Sequence, residues 1–288
     1  MARINHQGHL PLKAVVMIAS LPMIREAPFL FDTHVHLDAP VLRKALEQEL
    51  TLARLGGVRR YLIPGVAREG WSQILSLARS VPGAWAAPGL HPQAAAQWTR
   101  EAEEELATLL ADPVVVAVGE IGLDAMLTDV AAELQERAFR AQVRLAVAAG
   151  RPILIHCRRA TGNLLRILKQ EGASAVGGIM HGFSGSLETA QEAIKMGFAI
   201  GFGGAVTFPE ARRAPGVLKR ISPEWIVLET DAPDLAPHPH RGEENHPAYL
   251  PLVAARVAEI REWSEEKVAR ITSENAARIL KIQKRSDQ

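Results

Sequence analysis

Eight short apolar runs, each followed by an amphipathic or turn-rich stretch, set the strongest limit on how this chain of 288 residues can fold. The runs are FLFDTHVH, RRYLIPGV, AWAAPGLHP, VVVAVGEIGLD, PILIHCR, AVGGIMHGFSG, FAIGFGG and WIVLETDAP. Most are apolar at successive positions rather than alternately, which is the pattern of strands buried on both faces of a parallel sheet. Helical periodicity fills several of the gaps, as in VLRKALEQELTLARLGG and VAAELQERAFRAQVRLAVAAG. The second of these ends at Gly150 with Pro152 just beyond, a stop signal. In SLETAQEAIKMG, Ser186 is placed to cap a helix that Gly197 ends. Strand and helix alternating eight times predict an α/β chain of the (β/α)8 TIM-barrel type.

No linker or repeat divides residues 29–288, so they are read as a single barrel domain. Residues 1–28 are read as an N-terminal extension with little order. Its apolar stretch AVVMIASLPMI is broken by Pro22 and is too short to span a bilayer. No other segment is long and apolar enough to cross a membrane. After Pro247 the pattern predicts three helical pieces: AYLPLVAARVAEIREW, SEEKVARI and SENAARILKIQ. Formal net charge is +1, so no global basic field announces a nucleic-acid partner. No obligate protein partner is evident. Cys157 is the one cysteine. It cannot form an internal disulfide, which fits the reducing cytoplasm, and it is read as a small buried residue.

The polar residues inside the apolar runs carry the chemistry. In FDTHVHLD at 31–38, two histidines stand two apart, and on a strand both rings share a face. His34 and His36 close run one, His91 run three, Glu120 and Asp124 run four, His156 run five, His181 run six and Asp231 run eight. Strand ends at one mouth of such a barrel converge, and polar groups there read as catalytic. Singly, each is no better than an even bet against a hydrogen-bonded histidine or a helix cap. Together they make unrelated roles implausible. Imidazole and carboxylate suit Zn²⁺, Mn²⁺ or, with fewer histidines, Mg²⁺. Four histidines and two carboxylates exceed the needs of one ion and suffice for two divalent ions sharing a carboxylate.

The motifs DTHVHLD, GLHP, GEIGLD, IHCR, HGFSG and ETDAP, in this order, resemble those of the TatD family of metal-dependent deoxyribonucleases, with a leaning toward its YjjV-like branch. The resemblance implies a TIM-barrel hydrolase with a two-metal centre. It assigns His34, His36 and Asp231 to one ion, His156 and His181 to the other, and Glu120 to both. Asp231 would also take the proton of the attacking water, making it and Glu120 the catalytic pair. His91 and Arg158 would lie near a substrate phosphate, and Glu229 would support a histidine ligand. Arg241 and Asn245 match a family loop containing Arg-Gly and Asn-x-Pro. The implied substrate is DNA or a nucleotide, cleaved as by a 3′-5′ exonuclease.

Two departures bear on that substrate. Glu243 and Glu244 follow Arg241–Gly242 where basic residues are usual, and Ala125 and Met126 follow GEIGLD where an aromatic residue is usual. They keep open an alternative, a hydrolase of a carboxylic ester, lactone, amide or aminoacyl-tRNA ester. The loop histidines His238, His240 and His246 are read as solvent-facing.

Overall fold

A computed structural model describes residues 29–282; the expected extension at 1–28 lies outside them. All eight runs contain a strand: β1 (Leu30–Asp32), β2 (Val58–Pro64), β3 (Ala84–Ala87), β4 (Val118–Asp124), β5 (Ile153–Arg158), β6 (Gly178–Met180), β7 (Phe198–Phe202) and β8 (Ile226–Leu228). They pair in parallel as β1-β2-β3 and β4-β5-β6-β7-β8, always with sequence neighbours. Backbone hydrogen bonds join the two sheets at both seams. At one, Ala86 N–H donates to Val114 O (2.8 Å) and Val116 N–H to Ala86 O (3.1 Å). At the other, Thr33 N–H donates to Leu228 O (3.0 Å) and Asp231 N–H to His34 O (2.9 Å). The expected barrel is present.

Side-chain alternation explains why every strand is apolar throughout. Phe31, Leu62, Trp85, Ala87, Ala117, Leu154, Ile179, Ala199 and Val227 pack together as one cluster. Their strand neighbours Ile63, Ala86, Ile155, Met180, Ile200 and Leu228 belong to a second, larger cluster shared with the helices. The first is the barrel interior and the second the layer between strands and helices. Small residues at 87, 117 and 199 let the large rings of Phe31 and Trp85 fit within the barrel. Ala276, Ile279 and Leu280 pack onto the interior cluster and close the end of the barrel away from the histidines.

The helices are α1 (Pro40–Arg43), α2 (Leu46–Leu55), α3 (Trp71–Ser80), α4 (Arg100–Leu109), α5 (Ala132–Ala148), α6 (Thr161–Gln170), α7 (Leu187–Lys195), α8 (Arg213–Arg220), α9 (Leu250–Arg261) and α10 (Glu265–Ile279). Ser186 caps α7 as expected, its hydroxyl accepting from Thr189 N–H at 3.3 Å. Two expectations are corrected. The long helix read after β1 is broken into α1 and α2 at Lys44–Ala45. SEEKVARI and SENAARILKIQ form the single helix α10, because Thr272 turns its hydroxyl back onto Val268 O (2.9 Å) and does not interrupt the backbone ladder.

Asp32, at the end of β1, ties the first strand to the last. Its carboxylate accepts from Thr230 N–H (2.9 Å), Thr230 Oγ1 (2.6 Å) and His34 N–H (3.3 Å), all buried. Burial pushes this carboxyl up to about 8, against the opposing effect of those bonds. Asp32→Ala would leave two buried N–H groups unpaired and is expected to cost roughly 1–3 kcal/mol in chemical denaturation. Asp32→Asn keeps an acceptor there, so an equal loss in both variants would contradict this account.

Candidate metal centre

The interior alternation also aims the site residues. His156, His181 and Glu229 each stand two positions beyond an interior residue, namely Leu154, Ile179 and Val227, so they extend the interior column toward the open mouth. Glu120 would miss this column by strict alternation from Ala117. The β4–β5 register shifts between Val118 and Ile121, and that irregularity turns Glu120 inward. Gly122 has no alternative here, since an added Cβ would collide with the carbonyl oxygen of His156. His34 and His36 correct the simple strand argument. They lie beyond the end of β1, in a bend, yet their Nε2 atoms come within 3.3 Å of each other.

Two clusters meet at Glu120. On one side, His34 Nε2 is 3.3 Å from Glu120 Oε2 and 3.5 Å from Asp231 Oδ1, and His36 Nε2 is 3.8 Å from the same Asp231 oxygen. On the other, Glu120 Oε1 is 2.7 Å from His156 Nδ1 and 2.8 Å from His181 Nε2. His91 packs edge-on against His156 with centroids 4.3 Å apart. His156 Nε2 lies 3.5 Å from Asp124 Oδ2. The rings of His34 and His181 stack at 3.8 Å. His34, Glu120, His181 and Asp124 are buried. A cavity of about 350 Å³ opens onto His36, His91, Glu120, His156, His181 and Asp231.

The spacings on the His34 side fit a metal ion. Ligands bound at about 2.1 Å in a tetrahedral arrangement stand roughly 3.4 Å apart. The His34, His36, Glu120 and Asp231 atoms are separated by 3.3 to 3.8 Å. His156 Nε2 is buried without a hydrogen-bond partner, whereas the other two such nitrogens, His34 Nδ1 and His181 Nδ1, are on the ring side away from Glu120. Around Glu120 Oε1 the contacts are shorter, at ordinary hydrogen-bond length. The electrostatics agree. Burial alone would lower His181, but the Glu120 and Asp231 carboxylates raise it well above the usual imidazole range. Burial would raise Glu120, but the charge of His181 and the hydrogen bonds from His156 and His181 hold it well below the usual range. Burial, reinforced by His181, keeps His34 neutral. Burial pushes Asp231 up to about 6 and His91 down to about 4.

Other expected site residues are placed differently. Glu229 is fully buried. Its Oε1 accepts from Gly182 N–H at 2.5 Å and lies 3.7 Å from His181 Nδ1. At Gly201 any Cβ would collide with this carboxylate. Arg158 is exposed at the end of β5, outside the residues lining the cavity. Arg241 is also outside it, paired with Glu210 and lying over the Phe208 ring at 4.3 Å. Asn245 is buried and donates to Thr230 O (2.7 Å) and Asp234 O (2.6 Å), which fixes the turn that carries Asp231. Cys157 is half-buried, its Sγ 3.6 Å from Thr161 Oγ1. His246 corrects the loop reading. It is buried, its Nδ1 3.0 Å from Glu49, with Tyr249 against its edge and His240 stacked on that tyrosine. Sequence reasoning missed Asp38, whose buried Oδ1 lacks a hydrogen-bond partner at the cavity wall. The adjacency of Asp38 to the His-x-His pair was the available signal.

A parallel barrel with imidazoles and carboxylates crowded at one mouth has the build of a metal-dependent hydrolase. Within that class the chain belongs to the TatD family: residues 31–281 match the family model described as TatD related DNase. It is 42% identical over 253 residues to YabD of Bacillus subtilis, an uncharacterized metal-dependent hydrolase, covering 88% of this chain and 99% of the relative. It is 34% identical over 261 residues to the 3'-5' ssDNA/RNA exonuclease TatD of Escherichia fergusonii, covering 88% and 99%. The crystal structure of YjjV, a TatD homologue from Escherichia coli, superimposes with a TM-score of 0.84 at 32% identity, covering 88% and 98%. Among the described residues no helix is long and apolar enough to cross a membrane.

Proposed function

We propose that the chain is a two-metal phosphodiesterase that removes nucleotides from DNA ends in the 3′-5′ direction. The observation that carries the two-metal part is the position of Glu120, with one carboxylate oxygen facing His34 and the other facing His156 and His181. Support for the substrate comes from the family model and from the relative named as a 3'-5' exonuclease. A cytoplasmic location, where Cys157 stays a free thiol, is part of the same reading.

In this proposal His34, His36 and Asp231 would hold one divalent ion and His156 and His181 the other, with Glu120 as the carboxylate available to both. Zn²⁺, Mn²⁺ and Mg²⁺ all remain eligible, because borderline donors accept several ions. Bound there, the ions would supply Lewis-acid polarisation of a phosphoryl oxygen and lower the pKa of water. Asp231, at the cavity edge beside His36, accepts the proton of the attacking water. His91, kept neutral by burial, lines the same cavity and can donate a hydrogen bond to a phosphate oxygen. Glu229, with its Oε1 3.7 Å from His181 Nδ1, is the carboxylate that would orient that ring. Glu229→Gln is accordingly expected to weaken metal affinity 10- to 100-fold, measured by competition with a chelator. An effect under twofold would reduce Glu229 to a packing residue.

The direct test is hydrolysis of 5′-labelled single- and double-stranded DNA beside an aryl ester, with each metal and with EDTA. Stepwise shortening of DNA that EDTA abolishes supports the proposal. Ester cleavage without DNA cleavage would favour the second reading, a carboxylic ester or lactone hydrolase. One observation favours that reading: Glu210, Glu243 and Glu244 are exposed around Arg241, which removes positive charge where a DNA backbone could run.

A further inference from the structure

We infer that a second cavity beside the metal centre is a pocket for a nucleobase, and that Phe208 is its stacking platform. This inference rests on the proposed phosphodiesterase reading and deepens it.

The second cavity, about 300 Å³, lies between the loops that follow β6, β7 and β8. It shares Asp231 with the cavity of the metal centre, so one occupant can place an atom in each. Its size sits at the lower end of small-ligand pockets, roughly 300–1,000 Å³. Phe183, Phe202, Val206, Phe208 and Leu235 form its apolar walls. Leu235 is 53% exposed at the wall of this cavity, so its apolar surface is open to a ligand lying there. Phe208 is half-buried and carries the Arg241 guanidinium over its ring. Arg241 is in turn held by Glu210. The ring thus packs against a cation that is itself anchored.

Charge completes the match. Arg212 and Arg213 also line the cavity, and both are exposed. Their guanidinium groups donate to backbone carbonyls, Arg212 to Pro209 O (2.9 Å) and Arg213 to Ser184 O (3.4 Å). Their positive charge thus remains available to an anion. A cavity with aromatic and aliphatic walls, two arginines in its lining and Asp231 shared with the metal centre suits one kind of ligand: a nucleotide with its base in the cavity and its phosphate at the centre. Bases stack on aromatic rings whatever their identity, so such a pocket binds nucleotides without reading sequence. The platform missing after β4, where Ala125 and Met126 stand, is supplied from β7 instead. Arg241 then acts as a positioning residue for Phe208.

The test separates the pocket from the reaction. Binding of deoxyadenosine monophosphate and of 2-deoxyribose 5-phosphate is measured by calorimetry, with the metal-loaded and the metal-free protein. The base is expected to improve affinity about tenfold or more. Phe208→Ala should erase most of that preference, and Ala211→Trp, which fills the cavity from its wall, should erase all of it. Equal affinity for the two ligands in the unaltered protein overturns the inference, as does a base preference that survives both substitutions. Turnover of DNA oligomers with an abasic position on either side of the scissile phosphate provides the second arm. A loss of about tenfold at one of those positions supports the pocket. If DNA is cleaved at the same rate with or without the base, the pocket fails while the phosphodiesterase reading stands. If DNA is not cleaved at all, the phosphodiesterase reading fails, and the binding arm still decides the pocket.

Discussion

Replacing Glu120 by glutamine is expected to cost about a thousandfold in metal-dependent turnover and to remove at least one ion from the centre. Glutamine keeps the volume, so the barrel mouth is not emptied. It cannot keep the chemistry, because one of its two terminal atoms must be a donor. Either His34 or the His156–His181 pair would then face an N–H in place of a carboxylate oxygen. A Lewis-acid centre supplies several kcal/mol of transition-state stabilisation, and about 4 kcal/mol corresponds to the thousandfold loss. The checks are elemental analysis of the purified protein and steady-state turnover at saturating metal. Two ions per chain with turnover within threefold of the unaltered protein would show that Glu120 does not bridge. Folding must be followed by circular dichroism, since the raised His181 loses a charge partner in a buried site.

Asp231→Asn should lower turnover by about 10²- to 10⁴-fold, the usual worth of a general base. Asparagine presents one oxygen toward His34 and His36, so one ligand contact can persist while the proton acceptor is lost. Metal content should therefore fall less than turnover does. Equal losses of both would make Asp231 a ligand alone. The turn itself is held by backbone and by Asn245, through Asp231 N–H to His34 O and Asn245 Nδ2 to Thr230 O. The substitution should accordingly leave the thermal midpoint nearly unchanged in metal-free protein.

The barrel, and the positions of His156, His181 and Glu229 at its mouth, were legible because they follow from local periodicity. Continuous apolar runs marked strands buried on both faces, and the residues two beyond the interior column are the ones that reach the mouth. Partnerships across the chain were not legible. Asp32 and Thr230 meet over a separation of 198 residues, and Glu49 and His246 over 197. Nothing in either segment names the other. His246 was misread for this reason, since a histidine in a polar loop carries no mark of the carboxylate that buries it. Glu120 was identified for its chemistry, but its inward direction depends on a register shift that strict alternation cannot anticipate. Arg241 was singled out by its match to a family loop, and its side chain is engaged with Glu210 and Phe208.

The clamp made by Asn245 has a consequence for how such a protein can change. One side chain holds Thr230 O and Asp234 O together at the root of the loop after β8, and His246 fastens its return to α2 through Glu49. The stretch from 235 to 244 is thereby an excursion whose two ends are fixed. Lengthening such a loop costs little free energy, about 0.6 kcal/mol per doubling. Its tip can be recomposed, in nature or by grafting, without moving Asp231. The barrel mouth is in that sense a socket, and the excursion is a replaceable part through which one hydrolytic centre could be addressed to new substrates.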